Sequence, residues 1–297
     1  MMKKLLIGLA ITAGVIVLAI GGYGLYLYKE LKDTASKVHE PLDRDTRDID
    51  LDNKQPISFL LLGVDERKND KGRSDTIVVV TVNPNKKSMI MFNIPRDTRT
   101  EIIGRGTEDK INHAYAFGNV PMAIDTVEHF LDIPIDYYVK VNMEAFKDIV
   151  DALGGVTVTN SFAFSSGKYH FPEGTIRLNG DEALAYTRMR KQDPKGDLGR
   201  NIRQQQVIKA IIKEGAKIQS ITKIGNILDS LEDNVKTNLT LDEMKRIQKH
   251  YRSALENTET FEIKGSGTRM NGIYYYIVPE EERLAISERL KEHLEIK

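Results

Sequence analysis

Beyond residue 56 the apolar residues of this chain alternate between two spacings. Short runs rich in β-branched and aromatic residues fall at 57–62, 76–82, 88–94, 137–141, 156–159, 260–263 and 273–278, and they predict strands. Between them the apolar positions recur every three or four residues. Ile124, Val127 and Leu131 predict a helix over 121–131. Phe146, Ile149, Val150 and Leu153 predict another behind Asn142, a residue suited to cap it, with Gly154 and Gly155 to end it. A short helix is expected at 180–186. Ile202, Val207, Ile208, Ala210, Ile211 and Ile212 predict a longer one reaching about residue 218. Further helical patterns cover 221–234, 241–255 and 279–294. The last has proline at its start and Leu284, Ile286, Leu290 and Leu294 as apolar positions. Residues 161–173 read as a hairpin or loop. Strands and helices interleave throughout, which predicts a layered α/β or α+β domain.

The turn cluster Asn83-Pro84-Asn85-Lys86-Lys87 joins two predicted strands into a hairpin. Its first strand begins at Asp75 and its second runs into Pro95-Arg96-Asp97. The two ends of a hairpin lie side by side, so Asp75 and Arg96 are expected neighbours. Asp65, at the end of the preceding strand, is placed to join them.

Ahead of this domain the pattern is different. Residues 5–28 contain no charge and are long enough to cross a bilayer, which takes about 20 apolar residues. Tyr23, Tyr26 and Tyr28 suit an interfacial aromatic belt, and Lys3 and Lys4 favour an N-terminus inside. The run is too long for the apolar part of a cleaved signal peptide, so an uncleaved anchor is expected. The expected organisation is a cytoplasmic tail (1–4), a transmembrane anchor (5–28), a polar stalk (29–55) and one extracytoplasmic domain (56–297).

Composition narrows the chemistry. The 297 residues carry 43 basic and 43 acidic side chains, so any anion site must be local rather than a product of net charge. There is no cysteine, which excludes disulfides, thiol catalysis and cysteine-ligated zinc. The HExxH, GxSxG and GxxxxGK[ST] patterns are absent, leaving zinc protease, serine hydrolase and P-loop readings without support. No helix-turn-helix with a basic recognition helix is evident, so nucleic acid is not an expected partner.

The stretch from Tyr186 to Gln206, YTRMRKQDPKGDLGRNIRQQQ, holds Arg188, Arg190, Lys191, Lys195, Arg200 and Arg203 against Asp193 and Asp197. Arg188 and Arg190 sit two apart, so an extended backbone would aim them the same way. Pro194, Gly196 and Gly199 mark a loop. Arg200 and Gln204 share a face in the first turns of the following helix. Cations oppose the macrodipole at a helix start, and a bound anion would offset that cost. Helix starts and arginine forks both suit phosphate, so the segment reads as a phosphate clamp; a solvated basic loop is the plain alternative.

Asp65 and Asp75 flank a charged loop, with Arg73 and Arg96 nearby. Two carboxylates beside phosphate are a usual way to hold Mg2+, although aspartate is also common in turns. Together these parts suggest a diphosphate with a bound magnesium ion and phosphoryl transfer as the reaction, with Asp75 or Asp97 able to take a proton from an attacking hydroxyl. His113, after an asparagine and ahead of a helix, reads as structural.

Six blocks can now be set in order: FLLLGVDERKNDKGRSDTIVVVTVNP, FNIPRDT, KINHAYAFG, LGGVTV, LNGDEALAYTRMR and DLGRNIRQQQ. Over about residues 57–218 they resemble the LytR–CpsA–Psr family, and within it the wall teichoic acid transferases of Gram-positive bacilli. The resemblance implies an α/β fold, α-β-α layered around a mixed central sheet, outside the cell membrane behind an N-terminal transmembrane helix. It implies a phosphotransferase or ligase moving an anionic glycopolymer, by this likeness wall teichoic acid, from undecaprenyl diphosphate to a peptidoglycan hydroxyl with Mg2+. By motif, Asp65 and Asp75 match metal-associated aspartates. Arg73, Arg96, Arg188, Arg190, Arg200 and Gln204 match residues around the pyrophosphate, and Asp197 matches a supporting acid. Catalytic roles fall to Arg73, Asp75, Arg96 and Asp97. The lipid tail is expected to enter an apolar cavity in the domain. Two other functions would use the same residues: a polyprenyl diphosphate pyrophosphatase, and a non-catalytic regulator that binds lipid-linked polymer.

Overall fold

The computed structural model describes residue 33 and residues 35–66, 72–217 and 234–297. The expected anchor, the start of the stalk and nearly all of the helical pattern at 221–234 lie outside these residues. Among the described residues no helix is long and apolar enough to cross a membrane.

The β-branched runs form the centre of a sheet. Strands β1 (Ile57–Val64), β2 (Ser74–Asn83) and β3 (Ser88–Asn93) are consecutive antiparallel neighbours, joined between the last two by the expected turn. A ribbon of β4 (Arg99–Ile102) and β5 (Thr107–Lys110) leads to α1 (His113–Leu131) and then to β6 (Tyr137–Asn142), parallel to β1. Next come α2 (Met143–Ala152), β7 (Val156–Asn160), a small hairpin of β8 (Phe164–Ser166) and β9 (Tyr169–Phe171), and β10 (Gly174–Leu178), which pairs with β7. Two helices follow, α3 (Gly180–Arg188) and α4 (Asp197–Gly215). The C-terminal part comprises β11 (Val235–Thr237), α5 (Leu241–His250), a 3-10 turn (Arg252–Glu256), β12 (Asn257–Glu262), a hairpin of β13 (Ser266–Met270) and β14 (Ile273–Ile277), and α6 (Glu280–Leu294). The main sheet has the order β11-β6-β1-β2-β3-β12 and mixes parallel and antiparallel neighbours.

The strand period of two sorts the apolar residues between the faces of this sheet. Leu60, Leu62, Ile77, Val79, Ile90 and Phe92 pack on one side against Ile124 and Val127 of α1 and Ile286 and Leu290 of α6. Val78, Val80, Met89 and Met91 point the other way, toward Ile208 and Ile212 of α4. A separate core ties α2, α3 and α4 to β7–β10 through Val150, Val156, Phe164, Phe171, Tyr186 and Val207. Helices thus cover both faces, giving α-β-α layers.

Some elements depart from the sequence pattern. Helix α1 begins eight residues before Pro121 but is interrupted at Gly118 and Asn119, whose φ is 56°. A proline inside a continuous helix clashes with the carbonyl four residues back, and the break relieves that clash. Leu284 is exposed, whereas Ile286, Leu290 and Leu294 are buried. Those three recur every four residues and define the packed face of α6, which Leu284 does not share. Strands β4, β5 and β13 carry few apolar residues and exist through pairing with a ribbon partner rather than burial.

Candidate active site

The expected meeting of Asp75 and Arg96 occurs. The β2–β3 register brings the hairpin ends together, and an Arg96 Nη1 donates to Asp75 Oδ1 at 3.0 Å. Arg96 Nε lies 3.7 Å from Asp97 Oδ2, and Lys110 Nζ donates to Asp97 Oδ1 at 2.7 Å. Burial works against the Arg96 charge, but Asp75 and Asp97 outweigh it and raise the pKa above the usual arginine value. Beside this pair, β1 passes β2 with Gly63 opposite Thr76, and a Cβ on Gly63 would fall 2.9 Å from the Thr76 Cβ. That close approach requires glycine.

The clamp is built by the start of α4. Arg200 Nη2 donates to Asp197 Oδ2 at 2.9 Å, while Arg190 Nη1 lies 3.8 Å from Asp197 Oδ1. Asp197 occupies the first turn of α4, where a carboxylate suits the helix dipole. Burial, with Arg96 and Arg190 close by, pushes the Arg200 pKa down against the pull of Asp197. The Arg200 Nε is buried with no hydrogen-bond partner among the described residues. Gln204 donates to Thr76 Oγ1 at 3.2 Å and accepts from Asn93 Nδ2 at 3.0 Å, which ties the helix to β2 and β3. Arg96, Arg190 and Arg200 therefore converge.

The local backbone differs from the extended segment expected here. Arg188 is the last residue of α3, and Met189, which follows it, is extended. Arg188 reaches Met143 Sδ on α2, while Arg190 turns to Asp197, so the two do not share one direction. Gly199 lies within α4 rather than in a loop, and its missing side chain leaves room for Asp193, whose Oδ2 would be 1.9 Å from a Cβ there. Arg203 is not part of any exposed basic face. Its guanidinium is buried on Asp193 and on the carbonyls of Tyr186 and Met189, locking the loop that carries Arg190.

Two cavities meet at this cluster. One, of about 730 Å3, runs between the sheet and α2, α4 and α5. Its walls include Phe59, Leu61, Val80, Val82, Phe146, Ile149, Ile208, Ile212 and Ile247, and its polar residues include Asp75, Thr76, Arg96, Arg188, Arg200 and Gln204. The other, of about 700 Å3, is lined by Arg96, Asp97, Arg190, Lys191 and Asp197 together with Asn201, Glu262, Tyr274 and Tyr276. Arg96 lines both, and the Arg200–Asp197 and Gln204–Asn93 contacts join residues of one to residues of the other.

Asp65 follows β1 directly, at a register shift between Gly63 and Val64. Its backbone N–H and that of Asp75 both donate to the Arg73 carbonyl, at 3.3 and 3.1 Å. The two aspartates therefore flank one carbonyl at the sheet end. Among the described residues no group of three or more histidine or carboxylate side chains gathers as a metal cage. Asp75 lines the apolar cavity with the arginines, whereas Asp65 lines neither cavity; one carboxylate beside phosphate oxygens suits Mg2+, which keeps several waters and takes one or two protein oxygens. Arg73 itself is exposed and lines neither cavity. His113 pairs with Asp109 at 2.7 Å through Nδ1 and lies outside both cavities. Asn93, Thr76 and Lys110 were not singled out from the sequence. Asn93 left a trace there, as a polar residue interrupting the apolar run 89–94.

Comparison with known proteins gives the same direction. The LytR_cpsA_psr family matches residues 25–292. A polyisoprenyl-teichoic acid–peptidoglycan teichoic acid transferase, TagU, of Halalkalibacterium halodurans is 56% identical over 99% of this chain and 100% of its own length. The crystal structure of Bacillus subtilis TagU superposes with a TM-score of 0.69 at 54% identity, covering 82% of this chain and 99% of that one. The structure of TagT bound to LI-WTA superposes with a TM-score of 0.74 at 34% identity, covering 87% and 100%.

Proposed function

The chain belongs to the LytR–CpsA–Psr family, and from that premise we propose that it transfers wall teichoic acid, an anionic glycopolymer, from an undecaprenyl diphosphate carrier to a peptidoglycan hydroxyl. The observation that carries this reading is the composition of a single cavity. Arg96, Arg188, Arg200 and Gln204 line it beside Asp75, and the walls are otherwise mostly aliphatic and aromatic. A polyisoprenyl diphosphate has the same make-up, two linked phosphates on a long hydrocarbon, and such sites combine apolar walls with a few placed polar groups.

The reaction is a displacement at phosphorus. The acceptor hydroxyl oxygen bonds to the phosphorus that bears the polymer. The bond from that phosphorus to the bridging oxygen breaks, and the carrier departs as its monophosphate. The hydroxyl proton passes to a carboxylate, Asp97 or Asp75, both of which are within the cluster. Arg96, Arg190 and Arg200 neutralise charge spread over the phosphoryl oxygens, and Asp197 holds Arg190 and Arg200 in position. Mg2+, held by Asp65 and Asp75, would add positive charge on the phosphates and ease departure of the carrier phosphate. Arg73, exposed beside these aspartates, would meet the diphosphate from the solvent side.

Residues 5–28 would anchor the chain in the cell membrane with the domain 56–297 outside. A tether there keeps the domain at the plane where a polyisoprenyl carrier presents its head group, raising its effective concentration.

The test is transfer by the full chain in detergent, from lipid-linked polymer to a peptidoglycan oligomer. Arg200→Ala and Asp75→Ala are each expected to lower kcat/KM by about a hundredfold or more. Wild-type rates in both variants would reject the mechanism, and polymer release that ignores the acceptor would mark a pyrophosphatase instead.

A further inference from the structure

The cavity of about 700 Å3 on the far side of Arg96 has a feature that phosphate chemistry does not use. Tyr274 and Tyr276 sit two apart on β14 and both line it, so they share one face of the strand. Each ring is laid over a glycine of the preceding segment. A Cβ on Gly267 would be 2.5 Å from the Tyr274 hydroxyl, and a Cβ on Gly265 would be 2.6 Å from Tyr276 Cε1. The hydroxyl of Tyr276 donates to the Ile263 carbonyl at 2.9 Å, and its backbone N–H donates to the Asp97 carbonyl at 2.8 Å. The aromatic pair is thus fixed to the same short segment, Arg96-Asp97, that closes the phosphate cluster. Tyr274 nevertheless remains 43% exposed.

We propose that this second cavity is the subsite for the saccharide acceptor, with Tyr274 as the platform on which a sugar ring stacks and Glu262, Asn201 and Asp97 as partners for its hydroxyls. The proposal rests on the transferase reading above and adds the place of the acceptor. First, attacking and leaving oxygens lie roughly in line across a transferring phosphorus. With the hydrocarbon of the carrier in the apolar cavity, the leaving phosphate lies on that side, and the hydroxyl must arrive from the opposite one. Arg96 is the residue the two cavities share, and the second cavity opens on the other side of it. Second, a pyranose has C–H faces and a hydroxyl rim, which calls for a flat apolar surface ringed by planar polar groups. Tyrosine supplies rigid amphipathic area with little rotamer entropy to lose. Third, the lining mixes the cations Arg96, Arg190 and Lys191 with acids, and Glu262 and Asp97 accept hydrogen bonds from uncharged hydroxyls.

The chain contains no tryptophan, so Tyr274→Trp places a single indole at the platform. Titrating that variant, as the full chain in detergent, with an undecorated peptidoglycan glycan oligomer is expected to shift and saturate its emission. Polyisoprenyl diphosphate lacking sugar should not reproduce the change. In the transfer assay, Tyr274→Ala is expected to raise KM for the oligomer about tenfold, the scale of one lost aromatic stack, while Tyr274→Phe stays within about twofold of wild type. An unchanged acceptor KM in Tyr274→Ala, or a rise in the donor KM instead, overturns the assignment. Silent emission in Tyr274→Trp at saturating oligomer also overturns it. If the wild-type chain forms no acceptor-linked product at all, the transferase reading itself fails, and the emission titration still decides whether the cavity binds saccharide.

Discussion

Asp193 and Arg203 belong to the stretch read from its charges as a phosphate clamp, with a solvated basic loop as the alternative, yet their side chains are only 4% and 5% exposed. Burial opposes ionisation of Asp193, but Arg203 and the Lys195 N–H hold its carboxyl below the usual range. Removing one member of a buried ion pair leaves the other without compensation, at a cost of about 3–5 kcal/mol. Asp193→Ala is therefore expected to lower the unfolding free energy by about that amount in denaturant titration, and to weaken transfer by loosening the loop that presents Arg190. At this scale the sequence anticipated the Asp75–Arg96 contact, because it follows from a hairpin with short-range geometry. It did not anticipate the direction of Arg188, the place of Gly199 within α4 or the burial of Arg203, because these depend on which neighbour each side chain meets across α3, α4 and the loop between them.

Helices α2 and α4 have apolar faces of ordinary helical period, and the sequence reads those faces as core. In the fold the faces divide. Val150 and Val207 are fully buried, while Phe146, Ile149, Ile208 and Ile212 line the apolar cavity. Strand β2 does the same within one run: Ile77 and Val79 enter the core between the sheet and α1, and Val80 and Val82 reach the cavity. An apolar residue has the same pattern whether it meets another side chain or a bound hydrocarbon, so periodicity alone does not separate the two. Filling the space separates them by experiment. Ile208→Phe adds volume where there is room, so its Tm should match or exceed that of the wild type, whereas the same change in a packed core costs typically 1–3 kcal/mol, or about as much. Its KM for the lipid-linked donor should rise about tenfold or more, measured at fixed acceptor. A loss of Tm without a change in donor KM would assign Ile208 to the core.

Across the whole molecule, α6 is fastened to the sheet by His293. Its Nδ1 meets Thr81 Oγ1 at 2.8 Å, its Nε2 meets Ser88 Oγ at 2.9 Å, and Asn83 donates to its carbonyl at 2.8 Å. Burial, together with the nearby Lys86 charge, pushes its pKa down from 6.5 to about 4. The unfolded chain then takes a proton that the fold refuses. Stability from this site is complete above pH 6.5 and is lost as the pH falls toward 4. Between about pH 7 and about pH 4.5 the wild type should lose on the order of 2 kcal/mol at this residue, and His293→Gln should show a correspondingly flatter fall in denaturant titrations. The sequence by itself determined the alternation of strands and helices, the β2–β3 hairpin and the cluster of acids and arginines at its end. Those follow from local periodicity, turn chemistry and charge, which are properties of neighbouring residues. Only the tertiary structure decided that helices and sheet part to leave an apolar cavity, that Arg96 stands between it and a second one, and that Tyr274 and Tyr276 from the far end of the chain border that second space. Cavities are gaps between elements distant in sequence, set by how whole layers pack, and no local pattern encodes a gap.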